Sequence, residues 1–409
     1  MNLSLEKSKI HKSVTLSITG SKSESNRLLL LQALWDNISI DNLSNSDDSV
    51  LMQNALRNQT DVINIHHAGT AMRFLTAYFS LKVNSCVTLT GSQRMQERPI
   101  GVLVDALITL GADIKYLKEE GYPPIQIKGK LLETDEVSLS ANVSSQYISA
   151  LLLIGAKFNN GLMLHLLGDI TSVPYIEMTL ALLNQIGVET QFENQTITVE
   201  PLIELPKPLT LVVESDWSSA SYFYSIVALS EIGTVIKLNS YKKNSLQGDA
   251  VLAEIYQAFG VETSYESNTI SIEKIADSPN GTSIDLDLSN APDIAQTIAV
   301  TCLGLKLRCK LRGLHTLKIK ETDRLLALKT EIEKFGTSVS ITDKTLEIET
   351  INPLYSGVKV ATYNDHRMAM AFAPLALKKS FTIMDAEVVS KSFPDFWKDL
   401  KRIGFSFSE

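Results

Sequence analysis

The chain has 409 residues, 44% of them hydrophobic, and a formal net charge of −8. That length predicts two domains, and the acidic balance argues against a nucleic-acid or anionic-membrane binder, because such proteins carry a basic footprint. The first residues lack a signal-peptide profile and no uncharged apolar run approaches a membrane span, so we expect a cytoplasmic protein. The three separated cysteines predict neither disulfides nor a zinc site.

The first predicted helix raises a question about charge. The motif GSKSESNR at 20–27 runs into the apolar stretch 28–34 and predicts a helix that begins near Ser25. Lys22 and Arg27 flank this start, although a cation at a helix N-terminus is unfavourable by about 0.3–1 kcal/mol. The placement favours a phosphate-like ligand held by backbone N–H groups, hydroxyls and cations. A solvated helix start with Arg27 pointing outward is the alternative.

Similar helix starts recur along the chain at intervals of about 70 residues after the first, which indicates an internal repeat. They lie at Ser21-Lys22, Gly69-Thr70, Ser144-Ser145-Gln146, Trp217-Ser218-Ser219, Pro292-Asp293 and Asp365-His366. For the start at Trp217, the serine hydroxyls are predicted to act only as N-caps.

A second helix in each repeat after the first ends on a glycine, the signature of a left-handed C-cap. These glycines are Gly111, Gly187, Gly260, Gly336 and Gly404. Stretches of alternating hydrophobicity follow and predict strands. The repeat is therefore βαβαββ, with a short first copy, and three copies per half predict an α/β fold of two pseudo-symmetric lobes with an interdomain cleft.

Two further segments combine a special backbone position with positive charge. Gly69 permits close backbone approach and Thr70 can cap a helix. Arg94 and Arg98 precede Pro99, which suits the first position of a helix. For Gly69 the structural alternative is an ordinary glycine in a turn. For the segment with Arg94 and Arg98 it is a surface turn.

The segment KETDR at 320–324 places cations where a helix start favours acids, and a salt-bridged helix start is its structural alternative. Arg367 leads a nearly uncharged helix, and Lys391 lies in a turn. Cations thus occupy corresponding ends of the repeats, which predicts one cationic site for a substrate with several anionic groups. They are Lys22, Arg27, Arg98, Lys320, Arg324, Arg367 and Lys391.

Ten motifs between residues 20 and 394 together resemble the 5-enolpyruvylshikimate-3-phosphate (EPSP) synthase family of enolpyruvyl transferases. They are GSKSESNR, AGTAMR, RMQERPIG, SSQYISALL, GDITSVPYIEMT, SDWSSASYF, NAPDIAQT, IKETDR, NDHRMAMAFA and KSFPDF. The resemblance implies a continuous lobe at 20–214 that binds shikimate 3-phosphate. It also implies a discontinuous lobe, at 1–19 and 215–409, that binds phosphoenolpyruvate and carries the catalytic carboxylates.

The implied reaction transfers the enolpyruvyl group of phosphoenolpyruvate to the 5-hydroxyl of shikimate 3-phosphate and releases phosphate, through a tetrahedral intermediate. It belongs to chorismate and aromatic amino-acid biosynthesis, the shikimate pathway. The resemblance further implies a monomer, small-molecule substrates alone, no cofactor, no metal, and glyphosate as an inhibitor of the family.

The resemblance also assigns residues. Shikimate 3-phosphate is expected on Lys22, Ser23, Arg27, Ser144, Ser145, Gln146, Ser172, Tyr175, Asp293 and Lys320. Phosphoenolpyruvate is expected on Lys22, Gly69, Arg98, Gln146, Arg324, Arg367 and Lys391, with Gly69 leaving room for it. Asp293 is the expected base and Glu321 the proton donor or relay, and the expected supporting residues are Lys22, His366 and Lys391.

Three residues depart from the pattern of many relatives: His67 and Thr316 stand where asparagine is common, and Phe74 replaces a frequent proline.

One alternative function is the related transferase acting on UDP-N-acetylglucosamine, which carries a reactive cysteine in a mobile loop. Here Cys86 lies in a strand-like stretch, and the loop with Arg94 and Arg98 has no cysteine. The other alternative, a non-catalytic phosphate-binding module, would need neither predicted carboxylate.

Overall fold

The computed structural model describes residues 1–57, 60–141, 144–278, 283–349 and 352–409. The chain divides into a continuous unit, Gly20–Val213, and a discontinuous unit, Met1–Thr19 with Glu214–Glu409. Glu214, expected at the end of the continuous lobe, belongs to the discontinuous unit, where its carboxylate accepts a hydrogen bond from Trp217 Nε1 at 2.9 Å. Within the described ranges, no helix is long and apolar enough to cross a membrane.

The strands are short, and each repeat after the first ends in an antiparallel pair. They are β1 Leu3–Leu5, β2 Ser13–Ser17, β3 Ile38–Asp41, β4 Val62–Asn64, β5 Cys86–Thr90, β6 Asp113–Tyr116, β7 Ile125–Lys128, β8 Glu136–Ser140, β9 Leu162–Leu167, β10 Thr190–Glu193, β11 Thr196–Val199, β12 Leu209–Val212, β13 Val235–Asn239, β14 Val261–Glu266, β15 Thr269–Lys274, β16 Ser283–Asp287, β17 Arg308–Arg312, β18 Val339–Ile341, β19 Leu346–Ile348, β20 Lys359–Val360, β21 Phe381–Ile383 and β22 Phe407–Ser408.

Helices alternate with these strands. They are α1 Lys22–Leu34, α2 Asp47–Arg57, α3 Gly69–Leu81, α4 Gln93–Gln96, α5 Gly101–Thr109, α6 Ser145–Gly155, α7 Val173–Gln185, α8 Trp217–Ala228, α9 Leu252–Ile255, α10 Ala295–Leu305, α11 Arg324–Glu333, α12 His366–Phe372 and α13 Phe396–Ile403. Turns of 3₁₀-helix lie at Gly248–Val251, Tyr256–Phe259, Pro292–Ile294, His315–Ile319, Ala373–Leu377 and Ala386–Lys391.

The repeat is visible in the sheets and confirms the predicted βαβαββ fold. In the second repeat β4 and β5 are parallel, β7 is antiparallel to β5, and β6 pairs with β7 at the edge. Three other sheets repeat this order: β8-β9-β11-β10, β2-β13-β15-β14 and β16-β17-β19-β18. In the part of the chain that the structure describes, the first repeat keeps only the parallel pair of β3 and β12.

The last sheet is completed by the start of the chain. Its order is β20-β21-β1-β22, so β1 lies between two strands that come almost 400 residues later. Leu3 is paired with Ile383 and Leu5 with Phe407. The discontinuous unit therefore needs both chain ends to close its third sheet.

One helix of each repeat lies in the interior of its unit. In the continuous unit α1, α3 and α6 pack together, and in the discontinuous unit α8, α10 and α12 do so. In α3 every residue from Gly69 to Ser80 is buried, as expected for a helix with small and apolar residues on all sides. Because these helices pack against one another in the core, that packing fixes the positions of the residues at their N-termini.

The predicted helix ends are confirmed, whereas two predicted helix starts are displaced. The five glycines adopt positive φ angles: Gly111 104°, Gly187 94°, Gly260 72°, Gly336 92° and Gly404 115°. Helix α1 begins at Lys22, earlier than expected, because the Ser21 hydroxyl caps it by accepting from Glu24 N. Helix α5 begins at Gly101, so Pro99 lies before the helix and not at its first position.

Candidate functional site

Lys22 is the first residue of the buried helix α1. Its ammonium Nζ lies 3.8 Å from Asp48 Oδ2, and Asp48 lies in the first turn of the neighbouring helix α2. The carboxylate offsets part of the cost of placing a cation at a helix N-terminus. The Lys22 side chain keeps 19% of its surface exposed, so an anion can still reach it.

Arg27, one turn further along α1, is buried and extensively hydrogen-bonded. Its Nε donates to Thr179 Oγ1 at 2.7 Å, and its Nη2 donates to Ser149 Oγ at 2.9 Å and to the Tyr175 carbonyl at 3.1 Å. Its Nη1 donates to the Ser23 carbonyl at 2.8 Å. The outward orientation considered from the sequence is wrong, because the guanidinium joins α1 to α6 and α7.

The departure at Phe74 packs against this arginine. The Arg27 Cζ lies 5.5 Å from the Phe74 ring centroid and 5.9 Å from that of Tyr175, within cation–π range. Burial lowers the pKa of Arg27 to about 10, although Tyr175 and Glu24 act in the opposite direction. The guanidinium remains a cation at neutral pH and would gain from a negative ligand.

Gly69 begins α3 with the Arg98 side chain directly against it. A Cβ atom placed on Gly69 would lie 2.6 Å from Arg98 Nη1 and 3.1 Å from Arg98 Cζ. The room that the missing side chain was expected to leave for phosphoenolpyruvate is thus filled by the guanidinium. The glycine contributes by letting Arg98 approach the N-terminus of α3.

A second buried arginine, which the sequence reasoning did not select, fixes the segment next to Arg98. Arg73 Nη1 donates to the Gly69 carbonyl at 3.1 Å, and its Nη2 donates to the Pro99 carbonyl at 3.0 Å. Tyr147 Oη also donates to the Pro99 carbonyl, at 2.6 Å. Arg98 is therefore held between two anchored backbone positions.

The start of α6 lies beside the start of α3. Gln146 Nε2 donates to Thr70 Oγ1 at 3.1 Å, and the Ser144 hydroxyl caps α6 by accepting from Gln146 N. Ser145 is buried at the same helix end. These contacts bring two of the predicted helix starts together within the continuous unit.

Ser172, predicted to bind the shikimate phosphate, has a left-handed backbone with φ 56° and ψ 42°. This conformation is uncommon for a residue other than glycine, and such residues concentrate at functional sites. Ser172 precedes α7, and the carbonyl of Tyr175 in the first turn of that helix accepts from Arg27.

In the discontinuous unit, Asp293 lies among three cations. Its Oδ1 lies 2.9 Å from Arg324 Nη1 and 3.7 Å from Lys320 Nζ, and its Oδ2 lies 3.2 Å from Arg367 Nη2. Burial raises the pKa of Asp293, but the charges of Arg367, Lys320 and Arg324 outweigh it and hold the pKa well below its usual range. The expected base is therefore ionised, as it must be to accept a proton.

Arg324 binds three carboxylates at once. Besides Asp293, its Nε donates to Asp365 Oδ2 at 2.6 Å and its Nη2 to Glu321 Oε2 at 2.7 Å. Burial lowers the pKa of Arg324, but the three carboxylates more than offset it, and the pKa is raised. The salt-bridged helix start considered from the sequence is thus present around Arg324.

The remaining predicted residues of this unit lie close by. Asp293 raises the pKa of Lys320, but burial and the two arginines outweigh it, so the pKa is lowered overall. His366 Nδ1 lies 3.8 Å from Asp365 Oδ1. Lys391 Nζ donates to the Asn364 carbonyl at 2.6 Å, next to Asp365 in the chain.

Helix α8 begins at Trp217 as predicted, but the predicted serine N-caps are wrong. Asp216, not a serine, is its N-cap, and its carboxylate accepts from Ser219 N at 2.8 Å. The Ser218 hydroxyl instead donates to Asp249 Oδ2 and accepts from Arg367 Nη2 at 3.3 Å. Asp249 was missed altogether, because a single acid outside a charged cluster carries no distinguishing sequence signal.

The other two residues that depart from the family pattern, His67 and Thr316, differ in their environments. His67 Nε2 lies 3.9 Å from Asp47 Oδ2, so α2 contributes one carboxylate to His67 and the next to Lys22. Thr316 is buried on the 3₁₀-helix His315–Ile319. Across the described residues, no group of three or more His, Cys, Asp or Glu side chains is arranged to hold a metal ion.

Cations and carboxylates thus lie at the starts of buried helices in both units, and comparison with known proteins gives the family. The family model of EPSP synthase (3-phosphoshikimate 1-carboxyvinyltransferase) matches residues 58–400. The chain belongs to the EPSP synthase family.

Similar proteins agree over nearly the whole length. The chain is 46% identical over 403 residues to a 3-phosphoshikimate 1-carboxyvinyltransferase of Bacteroides fragilis, covering 96% of this chain and 95% of the relative. It is 36% identical over 425 residues to the enzyme of that name from Actinobacillus succinogenes, covering 95% of this chain and 96% of the relative. A solved EPSP synthase from Acinetobacter baumannii has the same fold, with a TM-score of 0.80, 21% identity and complete coverage of both chains.

Proposed function

We infer that this protein transfers the enolpyruvyl group of phosphoenolpyruvate to the 5-hydroxyl of shikimate 3-phosphate and releases phosphate, a step of aromatic amino-acid biosynthesis. Family membership supports this activity. The observation that carries the chemistry is the ionised Asp293 carboxylate held among Lys320, Arg324 and Arg367. This arrangement can bind an anionic substrate and remove a proton beside it.

The proposed mechanism begins with addition. The 5-hydroxyl oxygen forms a bond to C2 of phosphoenolpyruvate while its proton leaves to Asp293 and C3 gains a proton. Because anionic substrates neutralise the surrounding cations, their binding raises the pKa of Asp293 and makes it a stronger base. Glu321, hydrogen-bonded to Arg324, is the proposed proton donor or relay at C3.

Elimination then completes the reaction. The C2–O bond to phosphate breaks, the Glu321 carboxylate takes a proton back from C3, and the double bond re-forms in the product, while Asp293 returns its proton to the departing phosphate. Arginines stabilise the phosphate and carboxylate charges by bidentate hydrogen bonds. In this proposal Lys22, Arg98, Arg367 and Lys391 bind phosphoenolpyruvate, supported by Gly69, Gln146 and Arg324.

Shikimate 3-phosphate is assigned to hydroxyls and cations of the continuous unit, together with Asp293 and Lys320. The assigned residues of that unit are Lys22, Ser23, Arg27, Ser144, Ser145, Gln146, Ser172 and Tyr175. Arg27 acts here largely by fixing α1, because most of its N–H groups already donate within the protein. We also propose that the enzyme is cytoplasmic and acts as a monomer. Sedimentation equilibrium tests the monomer by measuring the mass in solution.

The decisive experiment measures phosphate release from phosphoenolpyruvate with and without shikimate 3-phosphate. Release that requires both substrates is expected. Release with UDP-N-acetylglucosamine in place of shikimate 3-phosphate would favour the related transferase, and the position of Cys86 in β5 argues against that reaction. Binding of both substrates without phosphate release would favour a non-catalytic module.

A further inference from the structure

Arg367 is linked to a buried carboxyl group that the proposed mechanism does not use. Arg367 Nη2 donates to Ser218 Oγ at 3.3 Å, and the Ser218 hydroxyl donates to Asp249 Oδ2. The same guanidinium lies 3.2 Å from Asp293 Oδ2. A single side chain therefore joins the expected base to the Ser218–Asp249 pair.

Asp249 lies on the 3₁₀-helix Gly248–Val251 and is 4% exposed. The charged groups acting on it are Asp216 at the start of α8, Asp293 and Arg367, and the adjoining helix α9 carries only the exposed Glu254. Burial, with Asp293 and Asp216, raises the pKa of Asp249 to about 7, against the effects of Arg367 and the Ser218 hydrogen bond. This carboxyl group therefore changes its protonation state close to neutral pH.

We propose that Ser218 and Asp249 are positioning residues for Arg367, and that Asp249 takes up a proton when Arg367 binds phosphoenolpyruvate. This inference rests on the proposed function, which makes Arg367 a ligand of that substrate. Ser218 orients the guanidinium by accepting its hydrogen bond. An anion on Arg367 weakens the cation's effect on Asp249 and adds a like charge nearby, so the protonated carboxyl is favoured in the complex.

The coupling has a definite sign. Above pH 7 the substrate phosphates are already dianionic, since a phosphate monoester loses its second proton near pH 6. Free enzyme with ionised Asp249 must then take a proton from solution to bind. The KM for phosphoenolpyruvate therefore rises with pH from 7 to 8.5, by about threefold to tenfold.

The test measures kcat and KM for phosphoenolpyruvate from pH 7 to 8.5, at saturating shikimate 3-phosphate and constant ionic strength. Asp249→Asn, which is neutral at every pH, is expected to lose this rise in KM and to bind phosphoenolpyruvate at pH 8.5 at least as well as wild type. If Asp249 has only a structural role, Asp249→Asn should bind phosphoenolpyruvate more weakly than wild type by the same factor at all pH values. That result would overturn the proposal.

Ser218→Ala provides an independent measurement if the first variant does not fold. It is expected to raise KM by about threefold to tenfold with little change in kcat. It also removes a hydrogen bond that lowers the pKa of Asp249, so the rise in KM moves to higher pH. Ser219→Ala is the matched control, because that neighbouring hydroxyl donates to Asp216 and not to Asp249.

The outcomes separate the two proposals. Absence of phosphate release from wild type with both substrates overturns the proposed function, and this inference with it. If wild type is active but the KM for phosphoenolpyruvate depends on pH in the same way in wild type, Asp249→Asn and Ser218→Ala, only the inference is overturned.

Discussion

At the scale of single residues, Asp293 shows how neighbours decide what a carboxyl group can do. Its burial alone favours the neutral acid, but three cations keep it charged. The same cations would make it a weak base until anionic substrates neutralise them. Its chemistry therefore depends on what is bound.

Asp293→Asn is expected to lower kcat by about 100-fold or more, as for a lost general base. The KM for phosphoenolpyruvate should stay the same or fall, because the change removes a negative charge beside Arg367. Steady-state phosphate release checks both constants. Asp285→Asn, at a surface pair with Arg312, is the control; equal turnover in the Asp293 variant and wild type would remove Asp293 from the mechanism.

Gly69→Ala is expected to raise the KM for phosphoenolpyruvate by about tenfold or more, because the new methyl group displaces Arg98 and weakens a charge-assisted contact. The KM for shikimate 3-phosphate should change by less than about twofold, since the glycine is not assigned to that substrate.

Substrate kinetics on Gly101→Ala supply the comparison, because its added carbon would meet Gly121 Cα at 3.3 Å and Tyr116 Oη at 3.8 Å, and no arginine. Similar KM values in both glycine variants would show that Arg98 does not need its position against α3.

The sequence selected the cations of the proposed site but not the contacts that each of them makes. Lys22, Arg324 and Arg367 stood out because cations are unfavourable at helix starts. Asp249 and Arg73 gave no such signal, since their positions depend on residues distant in the chain. The contact of Arg98 with Gly69 likewise depends on how the loop before α5 folds back.

At the scale of secondary-structure elements, Arg27 stabilises the packing of α1. Its planar fork of N–H groups reaches two hydroxyls and two carbonyls, which the three donors of an ammonium cannot match. Arg27→Lys is expected to reduce the free energy of unfolding by about 2–4 kcal/mol. Urea unfolding followed by circular dichroism measures this loss.

Arg57→Lys, at the exposed end of α2, is the corresponding control and should leave the unfolding midpoint unchanged. If the two lysine variants unfold alike, the hydrogen bonds of Arg27 contribute little to stability and its role is confined to the ligand.

Elements were predicted well where the signal was local. The glycine C-caps and β18 followed from short-range rules, because a left-handed cap and an alternating pattern need only a few residues. The predicted N-cap of α8 was wrong because an aspartate and two serines compete for it, and Asp249 draws Ser218 away. That competition is decided by a 3₁₀-helix about 30 residues later, as the Ser218–Asp249 contact shows.

At the scale of the whole molecule, buried acids give stability a pH dependence. Burial, helped by Asp395, raises the pKa of Asp399 in α13 to about 6 from 3.8. Its contribution to stability is complete below the unfolded-state pKa and is lost as the pH rises through about 6.

Asp399→Asn should therefore gain about 1–2 kcal/mol relative to wild type between pH 5 and pH 8. Urea unfolding at both pH values checks the sign. Asp343→Asn, at an exposed carboxyl whose pKa is lowered by Lys318, should show no such gain; an equal gain in both variants would mean that net charge, not burial, is responsible.

The location of β1 between β21 and β22 has a consequence for synthesis on the ribosome. Residues 6–380 must be made before the first partner of β1 exists, which takes about 20–75 s at 5–20 residues per second. During that time the whole of Gly20–Val213 has left the ribosome and can fold as a continuous segment. Strand β1 is thus translated long before its partners, and the nascent discontinuous unit must keep it available until β21 and β22 have been made.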